Sequence, residues 1–367
     1  MTMARAELVD SNVTRWYHCL LRCVRLASLL GQGDFDRKQW IENRLEELAG
    51  SFAVSVAGFA VLDNQFHVLA RLDLDVAAGW SDEEVVRRWA RVLPPRGTTR
   101  TILPDAEKRA RGQLQDAARV TKGQEFIPVT DAWVRGQLQD AAKVALARQR
   151  LASLSWFMKC LKEPLSRKVN RQEGARGSFF EGRFRSVAIL DDNAVLATCV
   201  YVDLAPVAAG LASTPKTARY TSIKCRLDHA AALRRAASRN PPKRGARAAA
   251  RPPDPEESLW LCPIDDRHAK GSTREGMIAG ITLDDYMLLL DFTGRLFREG
   301  QAPVSRPLKA LFARLEIEPE TWSTLLLRLN EGRLFGRFFA SSRDRLRDVG
   351  EQLGLRRMPN LGGWPPE

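Results

Sequence analysis

The sequence predicts an α+β fold: an antiparallel sheet of ferredoxin-like layout with helices on one face, followed by a carboxy-terminal helical extension. Three observations predict it. A strand pattern, a helical pattern and two paired strand patterns follow one another between Thr14 and Leu72, the opening order of such a layout. Helical apolar spacing dominates after Ser258. The chain of 367 residues is long enough for one large domain or two modest ones.

The first strand is expected between Thr14 and Val24, with His18 and Arg22 among the polar residues of one side. His18 reads as structural or close to a nucleic acid rather than as a metal ligand. Asp36 marks a helix N-cap, and Trp40, Ile41, Leu45, Leu48 and Ala49 recur at helical spacing up to Gly50. Val54, Val56, Phe59 and Val61 form one β-type run, and Phe66, Val68, Leu69 and Leu72 a second, joined through Asp63-Asn64. Residues two apart on a strand share a face, so Gln65 and His67 point one way and Phe66 points into the core. An imidazole and an amide oxygen on one sheet face could hold a divalent cation; a polar partner at the end of a core strand fits the triplet as well.

Ser81 caps the next helix, whose apolar face is Val85, Val86, Trp89, Val92 and Leu93, and Pro94-Pro95 stops it. A helical insert over about 80–150 carries a duplication, Arg111–Arg119 recurring as Arg135–Lys143. Two copies are too few for a solenoid. Leu151–Val169 reads as a helix broken or capped near Pro164, with Arg167, Lys168 and Arg171 gathered at its end. Gly177–Ser186 interleaves Phe179, Phe180 and Phe184 with Arg176, Arg183 and Arg185, a ribbon that could stack bases and hold phosphates. A core-packed strand with solvated arginines accounts for the same residue types.

Asp191 or Asp192 caps a further helix, which offers Tyr201 from a face of small residues, Ala194, Ala197 and Ala205, and which Pro206 ends. Tyr220–Ile223 is a plausible closing strand edge. The stretch 227–257, rich in Ala, Pro and Arg, reads as a basic linker able to meet phosphates without sequence readout. Ser258–Cys262 then starts a second unit, 258–367, with helices opening at Thr282, near Leu308, at Thr321 and near Arg345.

Fifty-seven Lys and Arg stand against 44 Asp and Glu, a net charge of +13. That excess points to a polyanion, nucleic acid first, although an arginine-rich proteome gives the same balance. No apolar run reaches the length of a membrane span, so no membrane partner is expected. The amino-terminal residues carry no hydrophobic signal core, which places the chain in the cytoplasm, with the nucleoid as its expected station. Six cysteines without a Cys-x-x-Cys pair read as free buried thiols.

Three segments in order resemble one family. Asp63-Asn64-Gln65-Phe66-His67-Val68-Leu69 resembles the histidine–hydrophobic–histidine strand of the single-tyrosine HUH transposases, in particular the REP-associated tyrosine transposases, with Gln65 in place of the first histidine. Tyr17-His18 and Arg22–Arg25 resemble that family's first strand, and Gly177–Ser186 its Phe-Glu-Gly-Arg-Phe segment. Tyr201-Val-Asp-Leu-Ala205-Pro206-Val207 resembles its nucleophile helix, with Ala205 where the family has a metal-binding asparagine. The resemblance covers about 14–226 well and 256–363 more loosely. It implies a nuclease domain over 1–226, Tyr201 as nucleophile, and Mg²⁺ or Mn²⁺ on His67 and Gln65. It implies single-stranded or hairpin DNA as substrate, held by Arg22, Arg25, Arg167, Lys168, Arg171, Phe180, Arg183 and Arg185. The expected reaction is DNA cleavage and rejoining through a 5′-phosphotyrosine. The alternatives are a hairpin-DNA binder that has lost the reaction and, more remotely, an RNA-binding protein. The carboxy-terminal unit is expected to contact DNA or to form a homodimer.

Overall fold

The structure is a computed structural model that describes residues 12–31, 33, 35–94, 129–239, 256, 258–266, 275–300, 302–332 and 336–354. The first copy of the duplication, 111–119, and most of the expected linker lie outside the described residues.

The chain folds as α+β. Strand β1 (Trp16–Arg22) leads to helix α1 (Arg37–Ala49), then to strands β2 (Val54–Val61) and β3 (Gln65–Leu72). Short helices α2 (Leu74–Gly79), α3 (Asp82–Val92), α4 (Asp131–Leu138) and α5 (Ala141–Leu151) follow, then the long α6 (Leu154–Gln172) and strand β4 (Arg185–Ile189). Helices α7 (Asp192–Ala208) and α8 (Ser222–Arg239) complete the amino-terminal part. Helices α9 (Leu283–Glu299), α10 (Arg306–Leu315) and α11 (Pro319–Asn330), strand β5 (Phe338–Phe339) and helix α12 (Arg343–Gln352) close the described chain. The strand order is β2-β3-β1-β4-β5. Neighbours are antiparallel except β4 and β5, which run parallel, so the sheet is mixed rather than purely antiparallel.

Several helix starts follow from local chemistry. Asp36, Ser81, Asp191 and Thr282 each accept a hydrogen bond from the backbone N–H three residues on, satisfying a donor the helix cannot. The second copy of the duplication is not one helix: Asp140 caps α5 in its middle.

Helices cover both faces of the sheet, which corrects the expectation of one covered face. Tyr17, Cys19 and Leu21 of β1 and Phe66, Val68 and Ala70 of β3 share a core with Ile41, Leu45 and Leu48 of α1 and Phe157, Leu161 and Leu165 of α6. The opposite face, with Leu69, Val187 and Ile189, shares a core with α7, α9, α10 and α11. Helix α7 is apolar nearly all round because it is enclosed, with the sheet on one side and α9 and α11 against it. Gly58 allows the close approach on the sheet side: a Cβ there would stand 3.1 Å from Cys199 Sγ.

Three further expectations change. Pro164 does not break α6, and Pro206 does not end α7, which runs on to Ala208. At Pro164 the missing N–H leaves the Cys160 carbonyl without its helical donor, and the buried Arg44 Nε donates to it at 3.2 Å. Helix α8 runs to Arg239, so the beginning of the stretch read as linker is helical, and Tyr220–Ile223 supplies only an isolated bridge, Thr221 to Ala60, before α8 begins. Segment 258–262 does not start a separate core. Leu259 and Leu261 belong to the core beneath the sheet, the Cys262 N–H donates to the Val56 carbonyl, and Phe338 and Phe339 join the sheet as β5.

Candidate nucleic-acid site around Tyr201

The register of β1 with its neighbours places side chains by parity. His18 lies opposite Leu69, Leu20 opposite His67, and Arg22 opposite Gln65; on the other side Leu20 lies opposite Arg185. Directly opposed residues project to the same face. Arg22, Gln65, His67, His18 and Arg185 therefore share the face that α7 covers, and α7 brings Tyr201 to it.

The contacts follow. His18 and His67 are both 1% exposed, and a hydrogen bond of 3.0 Å joins His18 Nε2 to His67 Nδ1. Their rings are parallel within 7°. The half-buried ring of Tyr201 stands edge-on to both, its centroid 6.2 Å from that of His18 and 5.8 Å from that of His67. It rests on Ala60, Leu62, Val202 and Ala205. His67 Nε2 is buried with no hydrogen-bond partner in the described structure.

Burial, and then the neighbouring charges, set the electrostatics. Burial pushes His67 down to about 3, with Arg22 adding to the effect. Burial likewise holds His18 well below the ordinary histidine range, helped by His67 and Arg185. Burial raises the Tyr201 phenol, while Arg22 and Arg185 pull it back. Both imidazoles are neutral at pH 7, and they face a phenol and two guanidiniums. These groups suit an oxygen nucleophile with a nitrogen base and an anionic substrate.

Of the residues expected at a DNA site, the fold gathers Tyr201, His67, Gln65, Arg22 and Arg185. It does not gather the rest. Arg167, Lys168 and Arg171 stand on the last turns of α6, the helix of the opposite face. Arg167 pairs with Glu163, and Lys168 lies 3.8 Å from the Phe35 ring centroid. Arg25 and Arg183 are exposed in the turns after β1 and before β4. Phe180 is a correction: it is 4% exposed and packs edge-on to Phe66 and Phe179, so it has no free ring face for a base. The arginines of the aromatic–basic ribbon reach solvent, and its aromatics are core.

His18 was not expected in this role. The alternation of Trp16, His18, Leu20 and Arg22 gave its face, but its contact with His67 depends on strand register. Asp203, two residues from the phenol, belongs elsewhere: it accepts hydrogen bonds from Ser222 Oγ at 2.6 Å, the Ile223 N–H at 2.9 Å and the Tyr286 hydroxyl at 2.6 Å.

Hard divalent cations want oxygen ligands, several of them anionic. Here the donors are two mutually bonded imidazoles and the amide of Gln65, with Ala205 unable to coordinate and Arg22 beside His67. No group of three or more His, Cys, Asp or Glu suited to a metal occurs among the described residues. The residues present do not fit Mg²⁺ or Mn²⁺. No family model, curated protein or solved structure matches this chain. No described helix is long and apolar enough to cross a membrane.

Proposed function

We propose that the chain is a DNA-processing protein of the single-tyrosine transposase kind, which cleaves and rejoins single-stranded or hairpin DNA through Tyr201. One observation carries the reading: a phenol, two buried imidazoles and two guanidiniums from three strands and a helix meet at one place. The strand order β2-β3-β1-β4, antiparallel throughout, supports it, being the split βαβ arrangement of a ferredoxin-like layout.

In this reading the Tyr201 oxygen attacks the phosphorus of a phosphodiester. The P–O bond to the 3′ oxygen breaks, and its electron pair leaves with that oxygen. The phenol proton passes to the imidazole pair, and a proton returns to the departing 3′ oxygen. The products are a 5′-phosphotyrosine and a free 3′-hydroxyl, and attack by another 3′-hydroxyl reverses the step. The arginines hold the phosphate and balance the charge that develops on it.

A second reading is a DNA binder without the reaction. Ala205 and Gln65 favour it, as does the burial that raises the phenol. One assay separates the two. Incubated with labelled hairpin DNA, the wild-type chain is expected to give a covalent adduct that survives denaturation, and Tyr201→Phe to give none while binding the DNA as before. Binding without adduct in the wild type establishes the second reading.

A further inference from the structure

We infer that the positive charge a phosphodiester meets beside Tyr201 comes from Arg22 and Arg185, so that single-stranded DNA binds this site without a divalent cation. The inference rests on the reading of Tyr201 as part of a DNA site, and goes beyond it by naming what holds the phosphate.

Register and field both support it. Arg22 ends β1, and Arg185 begins β4 opposite Leu20, so the two guanidiniums are diagonal neighbours on one face at one end of the sheet. Both are exposed at that end, whereas the imidazoles behind them are buried. Many of the chain's other arginines are matched: Arg37 with Glu173, Arg71 with Asp73, Arg148 with Asp82, Arg226 with Glu256. Arg22 makes no ion pair among the described residues. The charges that act on His18, His67, Tyr201 and Arg185 come from Arg22, Arg185, His67 and Tyr201 itself, and no carboxylate is among them. Two like charges at an uncompensated edge repel each other, and a shared anion relieves the repulsion. The same field repels a metal ion. Guanidinium forks match the geometry of phosphate oxygens, and each exposed arginine can give two parallel hydrogen bonds.

The test is equilibrium binding of the full chain to a fluorescent single-stranded hairpin, in excess EDTA and in Mg²⁺. Equal affinity within about twofold is expected, since a charge-assisted contact through a metal would be worth roughly tenfold or more. Arg22→Gln/Arg185→Gln is expected to weaken binding by about tenfold to a hundredfold. Arg167→Gln/Arg171→Gln removes the same charge from the opposite-face helix and is expected to cost much less, because it loses only general attraction. Arg22→Lys/Arg185→Lys, which keeps the charge, is expected to recover part of the affinity and guards against a misfolded glutamine variant. A tenfold loss in EDTA overturns the inference, and so do equal losses in the two glutamine pairs. If these binding results hold and the wild type forms no adduct, the inference stands and the strand-transfer reading falls.

Discussion

Arg226→Ala is expected to lower folding stability by about 3–5 kcal/mol, a large part of the ~5–15 kcal/mol available to a domain. The Arg226 side chain is wholly buried. It pairs with Glu256 and donates to the Ala57 carbonyl at 2.8 Å and the Cys262 carbonyl at 2.7 Å. Glu256 in turn accepts from the Ile264 N–H at 2.9 Å. One guanidinium thus ties α8 to the irregular edge of β2 and to the segment that follows the basic stretch. Truncation leaves a buried carboxylate without its cation and two carbonyls without donors, and burial penalises an unpaired charge far more than it rewards a paired one. Urea midpoints at pH 7 measure the loss. Glu256→Ala on the Arg226→Ala background is expected to cost little more, or to recover some stability, because the stranded charge goes with it. A single-variant loss below about 1 kcal/mol would mean that water reaches the pair.

Local chemistry was legible in the sequence. Alternation located β1, β2 and β3, and polar residues at helix starts located the caps at Asp36, Ser81 and Thr282. Tyr201 and His67 were placed on converging elements by periodicity alone. What stayed hidden depends on partners distant in sequence. Pro164 reads as a breaker until Arg44, 120 positions earlier, is seen to take the carbonyl that the proline frees. Phe180 reads as a stacking platform until Phe66 covers it. A strand of only two residues, Phe338–Phe339, shows no alternation and forms because β4 offers it a free edge. Which face α7 would cover could not be read either, since a helix apolar all round gives no preferred direction.

The pairing of His18 with His67 has a consequence for acid stability. Both imidazoles are held below the ordinary histidine value, so the folded chain binds these two protons less readily than the unfolded chain. The sign follows directly. Their contribution is complete above pH ~6.5, where both states hold neutral histidine. It is lost as pH falls from there towards the low value of His67, because the unfolded chain takes up protons that the buried pair refuses. Between pH 6.5 and 5 each histidine is expected to cost the wild type roughly 1–2 kcal/mol. Across the full descent His67 alone accounts for roughly 4 kcal/mol. Urea midpoints taken through this range, with His18→Gln/His67→Gln in parallel, read the effect. The double variant is expected to start lower at pH 7 and to fall less steeply, so the two curves converge on acidification. Parallel curves would show that water or a counter-ion reaches the pair. Arg22 adds a finer discriminator. It is the charge that acts on His67, but burial is the larger cause. Arg22→Gln is therefore expected to move the acid limb only slightly downward in pH, whereas opening the α7 side of the pocket by Tyr201→Ala admits water and is expected to flatten it.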